Sequence, residues 1–182
     1  MLNLELGQQA QISVVSAEEL LQPDEEQIVR LCSEAFDEDF GNMFRLLSGA
    51  THILASVDGE LASHACWVTR WLQPGSLRPL RTAYIEAVAT NPSWEGKGLG
   101  SFVMKRITEE IDEYELGALS PARVPFYERL GWEMWRGPTA IRTQEGLLPT
   151  YGEEVMVLRT PRTPALDTST LITAEWREGE LW

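Results

Sequence analysis

Hydrophobic positions along this chain change their period several times, and each change marks an element. Residues 11–16, carrying Ile12, Val14 and Val15, read as a short strand. Leu20, Leu21, Ile28, Val29, Leu31, Cys32, Ala35 and Phe36 then recur with mostly helical spacing among charged residues. That pattern predicts an amphipathic helix ending in the acidic turn Asp37-Glu38-Asp39. Residues 52–57 and 60–68 flank Asp58-Gly59, a dipeptide that accepts positive φ, and are expected to pair as an antiparallel hairpin. A polar stretch with Pro74, Gly75 and Pro79 leads into residues 82–90, a run too apolar for a surface position and so the expected central strand.

That strand meets a glycine-rich turn, Glu95-Gly96-Lys97-Gly98-Leu99-Gly100, and then Leu99, Phe102, Val103, Met104, Ile107 and Ile111 at helical spacing. Strand, glycine turn and helix in this order place backbone N–H groups at a helix N-terminus, where they and the helix dipole suit a pyrophosphate. The alternative reading is a tight turn with no ligand. Neither the dinucleotide fingerprint nor the Walker sequence fits, because the third glycine is misplaced for the first and Gly98 follows Lys97 where the second needs Lys-Ser or Lys-Thr. Further along, residues 116–120 read as a short strand, 124–130 as a short helix, 131–135 as a strand entry and 155–158 as a strand, with an irregular tail after them.

Length and composition bound what such elements build. A chain of 182 residues with 43% hydrophobic content supports one core, so a single domain over 1–182 is expected, with a docked tail at about 161–182. The formal net charge of -13 repels nucleic acid and anionic membrane and attracts cationic small molecules. Cys32 and Cys66 have no CxxC spacing and read as buried thiols; His52 and His64 lie on the hairpin strands without metal-ligand spacing, so no metal is expected. With no basic leader and no long apolar run, the expected compartment is the cytoplasm.

The order of hairpin, apolar strand, glycine turn, helix, short strand, and a short helix holding Tyr127 before Gly131-Trp132 resembles the GNAT acyltransferase superfamily. Its pyrophosphate loop begins with Gln or Arg, and Glu95 departs from that pattern. A narrower resemblance, to the aminoglycoside 2'-N-acetyltransferases, rests on Gly117-Ala118-Leu119-Ser120, Tyr127-Glu128-Arg129-Leu130-Gly131-Trp132, Trp135-Arg136-Gly137-Pro138-Thr139, Leu166-Asp167-Thr168-Ser169 and Trp176-Arg177-Glu178-Gly179-Glu180-Leu181-Trp182. The N-terminal match is thinner: Ala35-Phe36 and Asp39-Phe40, followed by a shortened segment.

The resemblance implies an α/β fold, a twisted and mainly antiparallel sheet with splayed central strands flanked by helices, and acetyl-CoA as co-substrate. It implies that Val88, Ala89 and Thr90, with Gly96, Lys97, Gly98, Leu99, Gly100 and Ser101, hold the cofactor, and that the strand is bulged near Val88 so that backbone amides polarise the thioester carbonyl. Transfer to an amine needs a neutral nitrogen, so a base is required, and the resemblance assigns that role to Glu86 acting through water. The other reading of Glu86 is a strand carboxylate paired with an arginine. Tyr127 is the implied acid for the departing thiolate, or else a packing ring beside Phe126. The implied substrate contacts are Asp39, Glu86, Ala87, Ser120, Glu153 or Glu154, Glu180, and Trp182 with its carboxylate. A homodimer and direct transfer in a ternary complex complete the expectation; a kasugamycin-like amino sugar or a polyamine as acceptor, or a non-catalytic acyl-CoA sensor, are the rival readings.

Overall fold

The computed structural model describes residues 2–3 and 9–182. The hairpin lies where Asp58-Gly59 predicts it: β3 (Thr51–Val57) and β4 (Glu60–Pro74) pair antiparallel from Val57↔Glu60 to Thr51↔Trp67, and both turn residues have positive φ. Before them come β1 (Leu2–Asn3) and β2 (Gln9–Ser16), the latter paired antiparallel with β3 from Ala10↔Val57 to Ser16↔Thr51. The expected central strand is β5 (Leu80–Thr90).

The chain clusters into two compact units, Met1–Val68 with Glu86–Glu109, and Thr69–Ile85 with Glu110–Trp182. Both β4 and β5 run from one unit into the other. In the first unit, α1 (Gln22–Phe36) and α2 (Gly41–Leu46) lie between β2 and β3 in the chain. Helix α1 has proline at its start and stops where Asp37 adopts a left-handed conformation, satisfying the carbonyl of Ser33. Its apolar face, Ile28, Leu31 and Cys32, packs with Phe40, Leu47, Ala50, Leu54, Cys66 and Ala89 in a buried cluster. Burying one such aliphatic side chain stabilises by about 1.5–3 kcal/mol, far more than intrinsic helix preference contributes. A second cluster joins Ala10, Val57 and Ala62 to Leu99 at the start of α3 (Leu99–Glu110), with Trp94 and Phe102 against it.

In the second unit, β6 (Leu116–Leu119) runs parallel to β5 from Thr82↔Leu116 to Tyr84↔Ala118. Antiparallel pairing continues from β6 to β10 (Met156–Leu158) and from β10 to β7 (Glu133–Met134), with α4 (Val124–Glu128) between β6 and β7 in sequence. Three more strands lie in segments to which the sequence assigns no element, β8 (Thr139–Thr143) and β9 (Gly146–Pro149), or an irregular tail, β11 (Ile172–Glu175). Strand β11 pairs parallel with β8 and antiparallel with the end of β4, and β8 forms a hairpin with β9. The pairing is mainly antiparallel within an α/β fold, as expected. No helix among the described residues is long and apolar enough to cross a membrane.

Candidate active site

In the first unit, a 3-10 turn over Pro92–Trp94 delivers the chain into the glycine loop. Its entry is fixed by Asn91, whose side chain accepts from the Ser93 amide at 2.9 Å. Gly96 and Gly98 have φ of +73° and +87°, and a Cβ built on either would meet nothing within 4 Å. The loop is therefore open as well as left-handed. Leu99 is buried and anchors the first turn of α3, while Gly100 and Ser101 are half-buried. The first-turn amides of a helix have no partner within it, an arrangement suited to an anion. Glu95 is exposed, and the ammonium of Lys97, also exposed, lies 4.3 Å from the centre of the Trp94 ring.

Just upstream, β5 breaks its alternation: Glu86, Ala87 and Val88 are all half-buried, and Ala87 has φ of 51°. A left-handed alanine inside a strand costs about 1–3 kcal/mol and persists only where its surroundings impose it. Side chains of β4 grip the carbonyls around it. Ser63 Oγ donates to the Ala89 carbonyl at 2.9 Å, Cys66 Sγ lies 3.6 Å from the Glu86 carbonyl oxygen, and His64 Nδ1 is 2.9 Å from the Ala87 carbonyl oxygen. Ser63 Oγ also lies 2.8 Å from Thr90 Oγ1. Behind His64, His52 Nδ1 is 3.0 Å from His64 Nε2. Donor atoms of His52, His64 and Cys66 lie within 4.8 Å of one another, but both nitrogens of His64 are occupied, so a metal ion would have to displace two hydrogen bonds. Burial pushes the Cys32 thiol up to about 12 and raises that of Cys66, so neither is a ready nucleophile. Asp39 is exposed and accepts a hydrogen bond from the Gly41 amide at 3.0 Å, which shapes the entry to α2.

In the second unit, Tyr127 on α4 is 5% exposed, edge-on to Phe126 at 4.9 Å and to Trp132 at 6.3 Å. Burial pushes its phenol up to about 12, so it keeps its proton at neutral pH. Ser120, directly after β6, is exposed, as are Glu153, Glu154 and Glu180. Trp182 is buried, and its indole donates to Thr150 Oγ1 at 2.8 Å. The segment leading to it is held by Arg70, itself 2% exposed, which the sequence did not single out. Arg70 donates to the carbonyls of Leu181 and Glu175 at 2.8 and 2.9 Å, pairs with the Glu175 carboxylate at 3.4 Å, and lies 4.9 Å from the centre of the Tyr84 ring. Thus Glu86, Ala87, Val88, Ala89 and Thr90 share the first unit with the loop 96–101 and Asp39, and Ser120, Tyr127, Glu153, Glu180 and Trp182 share the second.

Residues 17–135 match the model of the acetyltransferase (GNAT) domain family. The chain belongs to the GNAT family. GNAT acetyltransferases take their acetyl group from acetyl-CoA. Over 177 residues this GNAT chain is 33% identical to an aminoglycoside 2'-N-acetyltransferase of Mycolicibacterium fortuitum, covering 93% of this chain and 90% of that one. Among solved structures it is similar to the Escherichia coli GNAT protein YhbS in complex with CoA, with TM-score 0.65, 16% identity, and coverage of 94% and 91%. It is also similar to Eis1 of Mycobacterium abscessus, with TM-score 0.61 and 17% identity, covering 72% of this chain. The chain spans only about a third of the length of several such structures, 33% in the case of Eis1.

Proposed function

We propose that this GNAT acetyltransferase moves the acetyl group of acetyl-CoA to the 2'-amine of an aminoglycoside, directly and in a ternary complex. The observation that carries the reading is the 33% identity, over nearly the whole chain, to the M. fortuitum enzyme of that name. The net charge of -13 supports it, since a polycationic drug is drawn toward an acidic protein.

The amides of residues 96–101 would hold the pyrophosphate, with Val88, Ala89 and Thr90 alongside the pantetheine arm. When bound, acetyl-CoA supplies an electrophilic thioester carbon. Glu86, half-buried in β5, takes a proton through water so that the amine nitrogen has a lone pair for attack. The Val88 amide, which follows left-handed Ala87, would donate a hydrogen bond to the acetyl carbonyl oxygen and so stabilise charge that develops there. Tyr127 would be the acid for the departing thiolate, since its buried phenol is protonated throughout the physiological range. The acceptor contacts that the same resemblance implies are Asp39 and Ala87 in the first unit and Ser120, Glu153 or Glu154, Glu180 and Trp182 in the second. A homodimer is part of the same reading.

One observation favours a second acceptor class. The segment after Phe40 is shortened relative to the family, which leaves fewer acidic contacts on that side and suits a smaller or differently shaped amine such as a kasugamycin-like amino sugar or a polyamine. Release of free CoA from acetyl-CoA, measured across aminoglycosides with and without a 2'-amine, kasugamycin and spermidine, separates the two. Turnover confined to the 2'-amines supports the proposal; turnover on kasugamycin or spermidine alone overturns the drug assignment and keeps the acetyltransferase. Binding without turnover of any acceptor points to a sensor.

A further inference from the structure

Ala87 is one of three non-glycine residues with positive φ among the described residues; the other two, Asp37 and Asp58, sit in turns, where aspartate tolerates that conformation. Alanine in a strand has no such excuse, so the force that holds it must come from outside β5. His64 provides it. A carbonyl oxygen only accepts, so the 2.9 Å contact between His64 Nδ1 and the Ala87 oxygen puts the ring proton on Nδ1. In a neutral ring, Nε2 then carries the lone pair, and the 3.0 Å contact to His52 Nδ1 requires His52 to donate. The two tautomers fix each other, and the direction of the relay is His52 to His64 to Ala87.

Both rings are buried, which lowers their pKa values to about 4 for His52 and about 3 for His64 and keeps the neutral relay intact at physiological pH. His52 is packed at its outer end by Phe44, with ring centres 5.8 Å apart and planes inclined by 27°. Cys32 Sγ lies 3.9 Å from His64 Nδ1, too long to replace the bond to Ala87.

The consequence reaches the reaction through the peptide plane. Every described peptide is trans, and in a trans peptide the C=O and N–H point in opposite directions. Pulling the Ala87 carbonyl toward His64 therefore turns the Val88 N–H of the same peptide away from His64. We propose that His52 and His64 are positioning residues for acetyl transfer, clamping the Ala87–Val88 peptide so that the Val88 amide faces the acetyl carbonyl. This inference rests on the reading that Val88 receives that carbonyl. Neither histidine touches substrate; each acts through Ala87.

The test has a structural arm and a functional arm. Long-range proton–nitrogen correlation on wild-type protein labelled with nitrogen-15 histidine should find both rings neutral at pH 7 with the proton on Nδ1. A proton on Nε2 of His64 overturns the relay outright. The functional arm compares the affinity for acetyl-CoA with that for CoA, and kcat with an aminoglycoside bearing a 2'-amine, in His64→Leu, His64→Asn and His52→Phe. His64→Leu should lose the preference for acetyl-CoA and lower kcat by about tenfold to a hundredfold, below the loss seen when an oxyanion donor is removed altogether, with KM for the amine nearly unchanged. His64→Asn keeps an amide donor near the Ala87 oxygen and should recover part of that loss, and His52→Phe, which frees the His64 tautomer, should fall between. A folded His64→Leu with wild-type kcat and preference defeats the relay alone. Wild-type protein with no preference for acetyl-CoA, its tautomers as stated, defeats the reading of Val88 and the proposal with it.

Discussion

Replacing Arg70 with methionine removes a buried guanidinium whose three nitrogens serve three acceptors, the carbonyls of Leu181 and Glu175 and the Glu175 carboxylate. Charge-assisted hydrogen bonds each contribute about 1.5–3 kcal/mol, but their sum overstates the cost, because Glu175 is 36% exposed on its side chain and can turn to water. The two carbonyls cannot follow so easily, and a buried acceptor left without a donor costs about 1–3 kcal/mol. Methionine recovers part of this by filling the space against the Tyr84 ring. The expected net loss is about 3–4 kcal/mol, near the range for breaking a buried ion pair. For a chain of this length that lowers Tm by roughly 6–16 °C. Urea denaturation should show the shift in midpoint, and hydrogen exchange should show loss of protection first over residues 172–182. Arg70→Lys keeps the charge but not the fork, and should recover less than half of the loss. An Arg70→Met protein within about 0.5 kcal/mol of wild type, the range of ordinary surface substitutions, would refute the reasoning.

Other expectations follow from the same packing. Gly137→Ala would set a Cβ 1.8 Å from the Thr170 carbonyl oxygen, a backbone atom that cannot step aside, so the substitution should destabilise by about 3 kcal/mol or more in the same urea assay. The depressed pKa values of His52 and His64 mean that the unfolded chain takes up their protons first: the stabilisation is complete above the ordinary histidine value of 6.5 and is lost as pH falls toward about 4 and about 3. At about 1.4 kcal/mol per pK unit, the urea midpoint should fall measurably between pH 7 and pH 4.5, and fall less in His52→Phe. Cys32 and Cys66, buried with raised pKa values, should resist a thiol reagent at pH 8 until denaturant is added; prompt labelling of either in native protein would contradict their placement.

What could be read from sequence was what local chemistry dictates. Asp58-Gly59 announces its hairpin because few other dipeptides supply two positive φ values, and the glycine loop announces the start of α3. Strands β8, β9 and β11, which the sequence did not signal, are only four or five residues long, and β9 is exposed along its whole length. Their identity comes from partners distant in the chain, such as Ile172↔Thr139, and no local period reveals that. Strand β4 likewise outruns its apolar stretch: Thr69, Arg70 and Trp71 look like a polar exit, yet Arg70 is buried because the last residues supply its acceptors. An irregularity near Val88 is expected only from family resemblance, since alanine carries no turn signal to announce the left-handed Ala87, and the two histidines read singly as ordinary strand residues. Their relay depends on a diagonal across the hairpin, with His52 opposite Cys66 and His64 opposite Leu54.

The most direct measurement of the central claim is the mass and fragmentation pattern of the product formed from acetyl-CoA and an aminoglycoside bearing a 2'-amine, run beside its congener with a 2'-hydroxyl. The account predicts a single added acetyl group, located on the 2'-nitrogen, and no product from the congener. Acetylation at any other amine, or equal turnover of both compounds, would contradict it.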